Sequence, residues 1–211
     1  MLVPVFLLIT TTMSAQNPVP GAAGIFYLQS VMETASGFKL DADGKFEFFF
    51  SQGALDRYAS GQWKQEGDLV VFNSKPRPSQ DFALLQNRQA DTPGVVVQIT
   101  DANSFLLDYV HVTIEGDGQK QQLVTDRHGA ACFKPQPVEA ISLQFEFCPE
   151  KISVFKFTEA ARGRNYFSFR YEPWLFELFL ENFELKLTEA GLKGNHPLLR
   201  GKEFLYRRAN Q

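Results

Sequence analysis

The chain has 211 residues, 44% of them apolar, with 21 basic and 24 acidic residues giving a formal charge of −3. This is enough apolar material for one domain of ordinary size or two small ones, and it excludes disorder as a starting assumption. Charges of both signs are mixed along the chain without a basic face for phosphate backbones, which argues against a nucleic-acid partner.

No charged residue precedes Glu33. Leu2 to Ile9 (LVPVFLLI) is apolar but too short to span a bilayer, which takes about 20 residues, and a small, polar TTTMSAQ follows it. Residues 1–15 therefore read as a secretory signal cut after Ala15, placing the mature chain in the periplasm or outside the cell. A buried N-terminal strand is the competing reading, because no Lys or Arg precedes the apolar run and Met13 sits near the cut. No Cys follows the run to carry a lipid anchor, and no later stretch is long and apolar enough for an integral membrane span. Residues 16–23 form a Pro/Gly linker.

Strand signals dominate from there. GIFYLQSVM (24–32) and GFKL (37–40) precede Asp43-Gly44, and KFEFFFS (45–51) follows it. Period two puts Phe46, Phe48 and Phe50 on one face and Glu47, Phe49 and Ser51 on the other. Asp-Gly between alternating runs predicts a tight hairpin with positive φ at both central residues. SGQWK (60–64), the turn Glu66-Gly67-Asp68 and LVVFN (69–73) make a second hairpin, so residues 24–75 read as a β-meander. Pro76 and Pro78 break the pattern and mark the best internal boundary.

Beyond it, strands are expected at 82–86, 94–100, 109–115, 121–125, 130–134, 141–147, 151–157, 165–171, 183–189 and 202–208. Turns recur about every ten residues, the rhythm of a sandwich or barrel. The fold class is all-β. One segment, 172–185, leaves two readings open: Glu177, Glu181 and Glu184 at helical spacing with Pro173 ahead of them suggest a short helix over 174–181, while the alternative is a strand entering a tight bend at Glu181 and Asn182. Trp174, Phe176 and Phe179 in the same segment are candidates for an exposed patch.

The two cysteines, Cys132 and Cys148, could close a short loop as a disulfide in an exported chain. They do not fall opposite each other across a hairpin turning at 134–140, so bridged and free states both stay open. Two cysteines alone do not make a metal site.

Two resemblances add to this reading. Leu40, Asp43, Gly44, Phe46, Phe48, Gly61, Trp63, Gly67, Asp68, Leu69 and Phe72 form a pattern similar to small lipocalin-like (calycin-type) barrels of bacterial exported proteins, over about a quarter of the chain. These are turn and core residues, so what they imply is a fold rather than an activity. Residues 94–157, with VVVQITD, VHVTIEG, VTDRHGAACF and ISLQFEF, resemble the β-sandwich of transthyretin-like or carboxypeptidase regulatory-like domains, modules that bind or space rather than catalyse. Together they imply a meander at 24–75, a sandwich at 94–157, and C-terminal strands within 158–211 that close the first barrel. Whether the sandwich is a second domain or an insertion stays open.

No stretch announces a reaction. The three histidines, His111, His128 and His196, do not share metal-ligand spacing and read as surface or turn residues. Asp126 and His128 come without an activated nucleophile. DADG (41–44) lacks the further ligands of a calcium loop, and GNHPLLRGK (194–202) lacks phosphate-loop spacing. Asp41, Asp43, Glu47, Asp56, Glu66 and Asp68 could hold a paired-carboxylate site, yet most sit where turns favour Asp.

The expectation is a non-catalytic exported protein, without cofactor or metal, that binds a partner protein or a small apolar ligand. Phe46, Phe48, Phe50 and Trp63 are the candidate ligand-binding residues. The competing readings are a structural or envelope-interaction protein whose barrel is filled by its own side chains, the commoner outcome for small barrels, and a hydrolase with a dispersed carboxylate site.

Overall fold

The computed structural model describes residues 21–158, 163–201 and 203–209. The expected signal segment 1–15 lies outside the described residues. Five strands open the chain: β1 (Gly24–Leu28), β2 (Thr34–Leu40), β3 (Lys45–Gln52), β4 (Leu55–Glu66) and β5 (Leu69–Asn73). Eight follow: β6 (Phe82–Arg88), β7 (Val95–Thr100), β8 (Val110–Gly116), β9 (Gln119–Val124), β10 (Ala130–Phe133), β11 (Ala140–Phe145), β12 (Ile152–Lys156) and β13 (Tyr166–Tyr171). Then come β14 (Phe183–Thr188), β15 (Gly191–Gly194) and β16 (Phe204–Arg208), and the only helical turn among the described residues is a 3₁₀ turn at Ser104–Leu106.

Strands β1 to β5 and β14 to β16 form a closed barrel in the order β1-β2-β3-β4-β5-β14-β15-β16, every neighbour antiparallel. Pairing of Phe26 with Arg208 closes it. The barrel is thus an up-and-down meander interrupted once, between β5 and β14, by the remaining eight strands. Those form two four-stranded sheets, β10-β7-β13-β6 and β12-β11-β8-β9. Their facing residues, among them Val97, Ile99, Val112, Ile114, Ile141, Leu143, Phe145, Phe167 and Phe169, make a second core.

The sandwich extends beyond 94–157 at both ends. The segment 165–171, expected among the barrel-closing strands, is instead β13, an inner sandwich strand parallel to β7 and antiparallel to β6. Inner placement suits its buried run Phe167-Ser168-Phe169. Residues 183–188 and 204–208 do join the barrel, together with β15, a strand of four residues with glycine at both ends that carries no strand pattern.

Segment 172–185 forms turns over Pro173–Phe176 and an isolated parallel bridge between Tyr58 and Glu177, not a helix. The bend at Glu181 and Asn182 is present, with Asn182 at φ 46°. At the first hairpin only Gly44 has positive φ (84°), Gly44 N–H donates to Asp41 O (3.0 Å) and Asp41 N–H to Lys45 O (2.8 Å). This is a type I turn closed by a glycine bulge, so the expected positive φ at Asp43 is not needed. The turn with two positive-φ residues is Asp117-Gly118, between β8 and β9.

The barrel is filled with rings. Phe38 is fully buried, with its centroid 4.7 Å from Phe48, 4.8 Å from Phe72 and 5.1 Å from Tyr206. Phe46 lies edge-on to Phe72 at 5.2 Å. Phe49, the odd apolar residue on the outer face of β3, lies over Gly37, where an added Cβ would come within 2.9 Å of its ring, and it meets Tyr27 edge-on at 6.1 Å. Each inward ring removes most of its apolar surface from water, a gain of about 1.5–3 kcal/mol. Phe38→Ala is expected to cost about 3–5 kcal/mol, read as a lower urea midpoint at unchanged slope; a loss under about 1 kcal/mol would contradict the packing described.

Candidate functional site

Of the four residues expected to bind a ligand, Phe46, Phe48 and Phe50 are buried and occupied by contacts within the chain, and Trp63 is half-buried with its indole N–H donating to Asp41 O at 3.0 Å. His196 completes this core rather than sitting in a surface loop. Its ring stands 5.7 Å from Phe48, 5.4 Å from Phe50 and 5.7 Å from Phe204. Nδ1 accepts from the backbone N–H of Leu198 and Leu199, both at 3.0 Å, so the proton belongs on Nε2, 3.1 Å from Ser36 Oγ. Burial pushes the imidazole pKa down to about 4. The ring is neutral and plugs one end of the barrel.

The sandwich sits on the barrel through a polar seam. Arg57, inward-facing on β4 and 2% exposed, donates from Nε to Phe176 O (3.0 Å) and from Nη1 to Phe147 O (3.5 Å), and pairs with Glu150. Asp81 and Lys151, 1% and 2% exposed, form an ion pair at 3.3 Å, and Arg77 reaches the other Asp81 oxygen at 2.8 Å. Lys151 Nζ also donates to Trp174 O (2.8 Å), and burial lowers its pKa while Asp81 opposes that shift. The two linking segments are stitched together by Trp174 Nε1 to Gln80 O (2.9 Å), Ser74 N–H to Leu180 O (2.8 Å) and Lys75 to Glu177 (3.0 Å). Trp174, Phe176 and Phe179 are accordingly half-buried in the seam, not an exposed patch.

Two clefts open along this seam. One, of about 760 Å³, is lined by Arg77, Lys151, His196, Arg200, Glu150 and Glu181 among others; three of these charges are already answered, Arg77 and Lys151 by Asp81 and Glu150 by Arg57. The other, of about 590 Å³ and more enclosed, is walled by Leu55 from the barrel and by Phe105, Tyr109, Phe145, Phe147 and Phe176. Its rings brace one another: Tyr109 to Phe147 at 5.0 Å, Phe145 to Phe147 at 5.4 Å and Phe145 to Phe176 at 5.8 Å. Phe105 is 83% exposed at the mouth. The sequence reading missed this site because its walls come from the β3–β4 turn, the 3₁₀ turn, the end of β11 and a linker, none of them consecutive.

The other candidates separate. Asp41, Asp43, Glu47, Glu66 and Asp68 are surface residues paired with Lys39, Lys45, Lys64 or Lys186, and Asp56 is exposed, so these six residues are not brought together as a paired-carboxylate site. Asp126 caps its own turn by accepting from the N–H of His128 (2.8 Å) and Ala130 (3.0 Å). Cys132 on β10 and Cys148, just past the turn that follows β11, are free thiols; the turn at 146–147 resets the alternation, so Phe147 points out and Cys148 in. Burial pushes the Cys148 thiol up to about 11, away from the reactive thiolate. Among the described residues no group of three or more His, Cys, Asp or Glu is placed to hold a metal ion, and no helix is long and apolar enough to cross a membrane. No protein family, curated protein or solved structure matches the chain.

Two outcomes follow. Because His196 has a folded pKa of about 4 against 6.5 when unfolded, its contribution is intact above pH 6.5 and is lost as pH falls from 6.5 through 4. The stability gap between the parent and His196→Asn should therefore narrow over that interval, measured by urea unfolding at each pH, and a constant gap would refute the assignment. Asp81→Asn, which leaves the Lys151 ammonium buried without its partner, is expected to cost about 3–5 kcal/mol in the same assay.

Proposed function

We propose that this chain is a non-catalytic, exported binding protein that holds a small apolar ligand in the aromatic cleft between barrel and sandwich. The observation that carries this is the cleft itself: about 590 Å³, within the roughly 300–1,000 Å³ usual for small-molecule sites, walled by five aromatic rings with Ala54, Leu55 and Leu106, and carrying Gln52 and Asn103 as its polar lining residues. A lipocalin-like kinship of the barrel is supported by the closed eight-stranded meander, but the ligand in this reading lies outside the barrel, whose interior its own rings fill. Export is supported by the uncharged, apolar N-terminal run ahead of Glu33.

A second reading, docking of a partner protein, is favoured by the outer barrel face, where Ile25, Tyr27, Phe49 and Tyr58 are each 41–45% exposed. Titration with the neutral fluorophore N-phenyl-1-naphthylamine separates the two. A single class of site is expected, weakened about tenfold by Phe105→Ala or Phe147→Ala, since each truncation removes roughly 1–2 kcal/mol of aromatic contact, and unchanged by Phe49→Ala. Binding lost on Phe49→Ala but kept in the other two variants would move the site to the barrel face, and no binding at all would remove the ligand reading.

A further inference from the structure

The charge around the aromatic cleft narrows its ligand class. No Lys or Arg side chain lines it. Two carboxylates flank its walls along the chain: Asp108 precedes Tyr109, and Glu146 lies between Phe145 and Phe147. Asp101 joins them at the mouth, its Oδ1 accepting from the N–H of the lining residue Asn103 at 2.8 Å. Tyr171 packs behind this wall. Tyr171, whose ring packs 5.4 Å from Phe145 and whose hydroxyl donates to Leu106 O at 2.7 Å, has its phenol held above the ordinary range, chiefly by burial, with the carboxylates of Asp101 and Asp108 adding to the rise.

Arg57 stands behind the cleft wall with its guanidinium turned to the Phe147 and Phe176 carbonyls and to Glu150. Its charge is answered on the far side of the rings. Glu146 has the half-buried His111 at 3.5 Å as its one ion-pair partner among the described residues, leaving the rim with a surplus of negative charge over a floor of ring faces and edges.

We propose that the aromatic cleft selects an organic cation, a peralkylated ammonium group borne on an apolar body; the inference rests on reading this cleft as the ligand site. Ring quadrupoles attract such a cation at close range, while the rim carboxylates favour its approach within a Debye length of about 8 Å. A peralkylated head spreads its charge over methyl groups and cannot demand hydrogen bonds, so it leaves water more cheaply than a primary ammonium, and the cleft offers it apolar contact. An anion of the same shape meets the rim and rings with the wrong sign.

Nuclear magnetic resonance titration of the whole chain with three isosteric probes tests this: benzyltrimethylammonium, its neutral carbon analogue neopentylbenzene, and phenylmethanesulfonate. The cation is expected to bind about tenfold tighter than the neutral probe, with the sulfonate weakest and the preference shrinking in 1 M salt. Phe147→Leu, which keeps apolar volume and removes the ring, should weaken the cation several-fold more than it weakens neopentylbenzene. Equal or tighter binding of neopentylbenzene at the cleft would overturn the cation preference while sustaining the apolar site. Failure of all three to shift cleft resonances would overturn both.

Discussion

The structure turns on one buried guanidinium. Arg57 points into the seam because β4 alternates Asp56 and Tyr58 outward with Arg57 and Ala59 inward, and at 2% exposure it is cut off from bulk solvent. An arginine so placed must find fixed acceptors, and it finds them only on the inserted half of the chain: the carbonyls of Phe147 and Phe176 and the carboxylate of Glu150. Those same peptide units carry two of the rings that wall the aromatic cleft. The Asp81–Lys151 pair acts alongside it with both partners buried. Buried ion pairs add little net stability compared with apolar packing, but breaking one is expensive. The sandwich therefore has one seating on the barrel, and that seating shapes the cleft.

Much of this was legible in the sequence. Alternation identified the inward face of β3, Phe46, Phe48 and Phe50, because that strand has one side against a core and a period of two leaves no ambiguity there. Turn chemistry located the hairpins, although the Asp43-Gly44 turn proved to be the bulged kind, in which only the glycine needs positive φ. Where the pattern failed, a physical reason is apparent. β15 is too short and glycine-rich to alternate, and β13 is inner to its sheet, so its buried run resembled any core strand and gave no clue to which sheet owned it. The acidic spacing of 177, 181 and 184 imitated a helix face, yet Glu177 is buried against Lys75 while Glu181 and Glu184 are exposed, which no single helical face explains.

The site was far less legible. Phe46, Phe48 and Phe50 were correctly read as one face, but a face of rings does not say whether it meets a ligand or other rings; here it meets Phe38, Phe72 and His196. His196 gave no signal because its role comes from two backbone N–H groups immediately after it and from Ser36 far earlier in the chain. The aromatic cleft is assembled across sequence separations that no local pattern records. Phe147 gave no hint, because in the sequence it continues the alternation of Ile141, Leu143 and Phe145, whereas the strand ends at Phe145.

The central claim is that the ligand position is the seam and not the barrel interior. Intermolecular nuclear Overhauser effects from a bound neutral apolar probe to the aromatic protons of the protein test it most directly. The account predicts contacts to Phe105, Tyr109, Phe147 and Phe176. Contacts to Phe46, Phe48 or Phe50 instead would contradict it, because they would require the packed ring core around Phe38 to open.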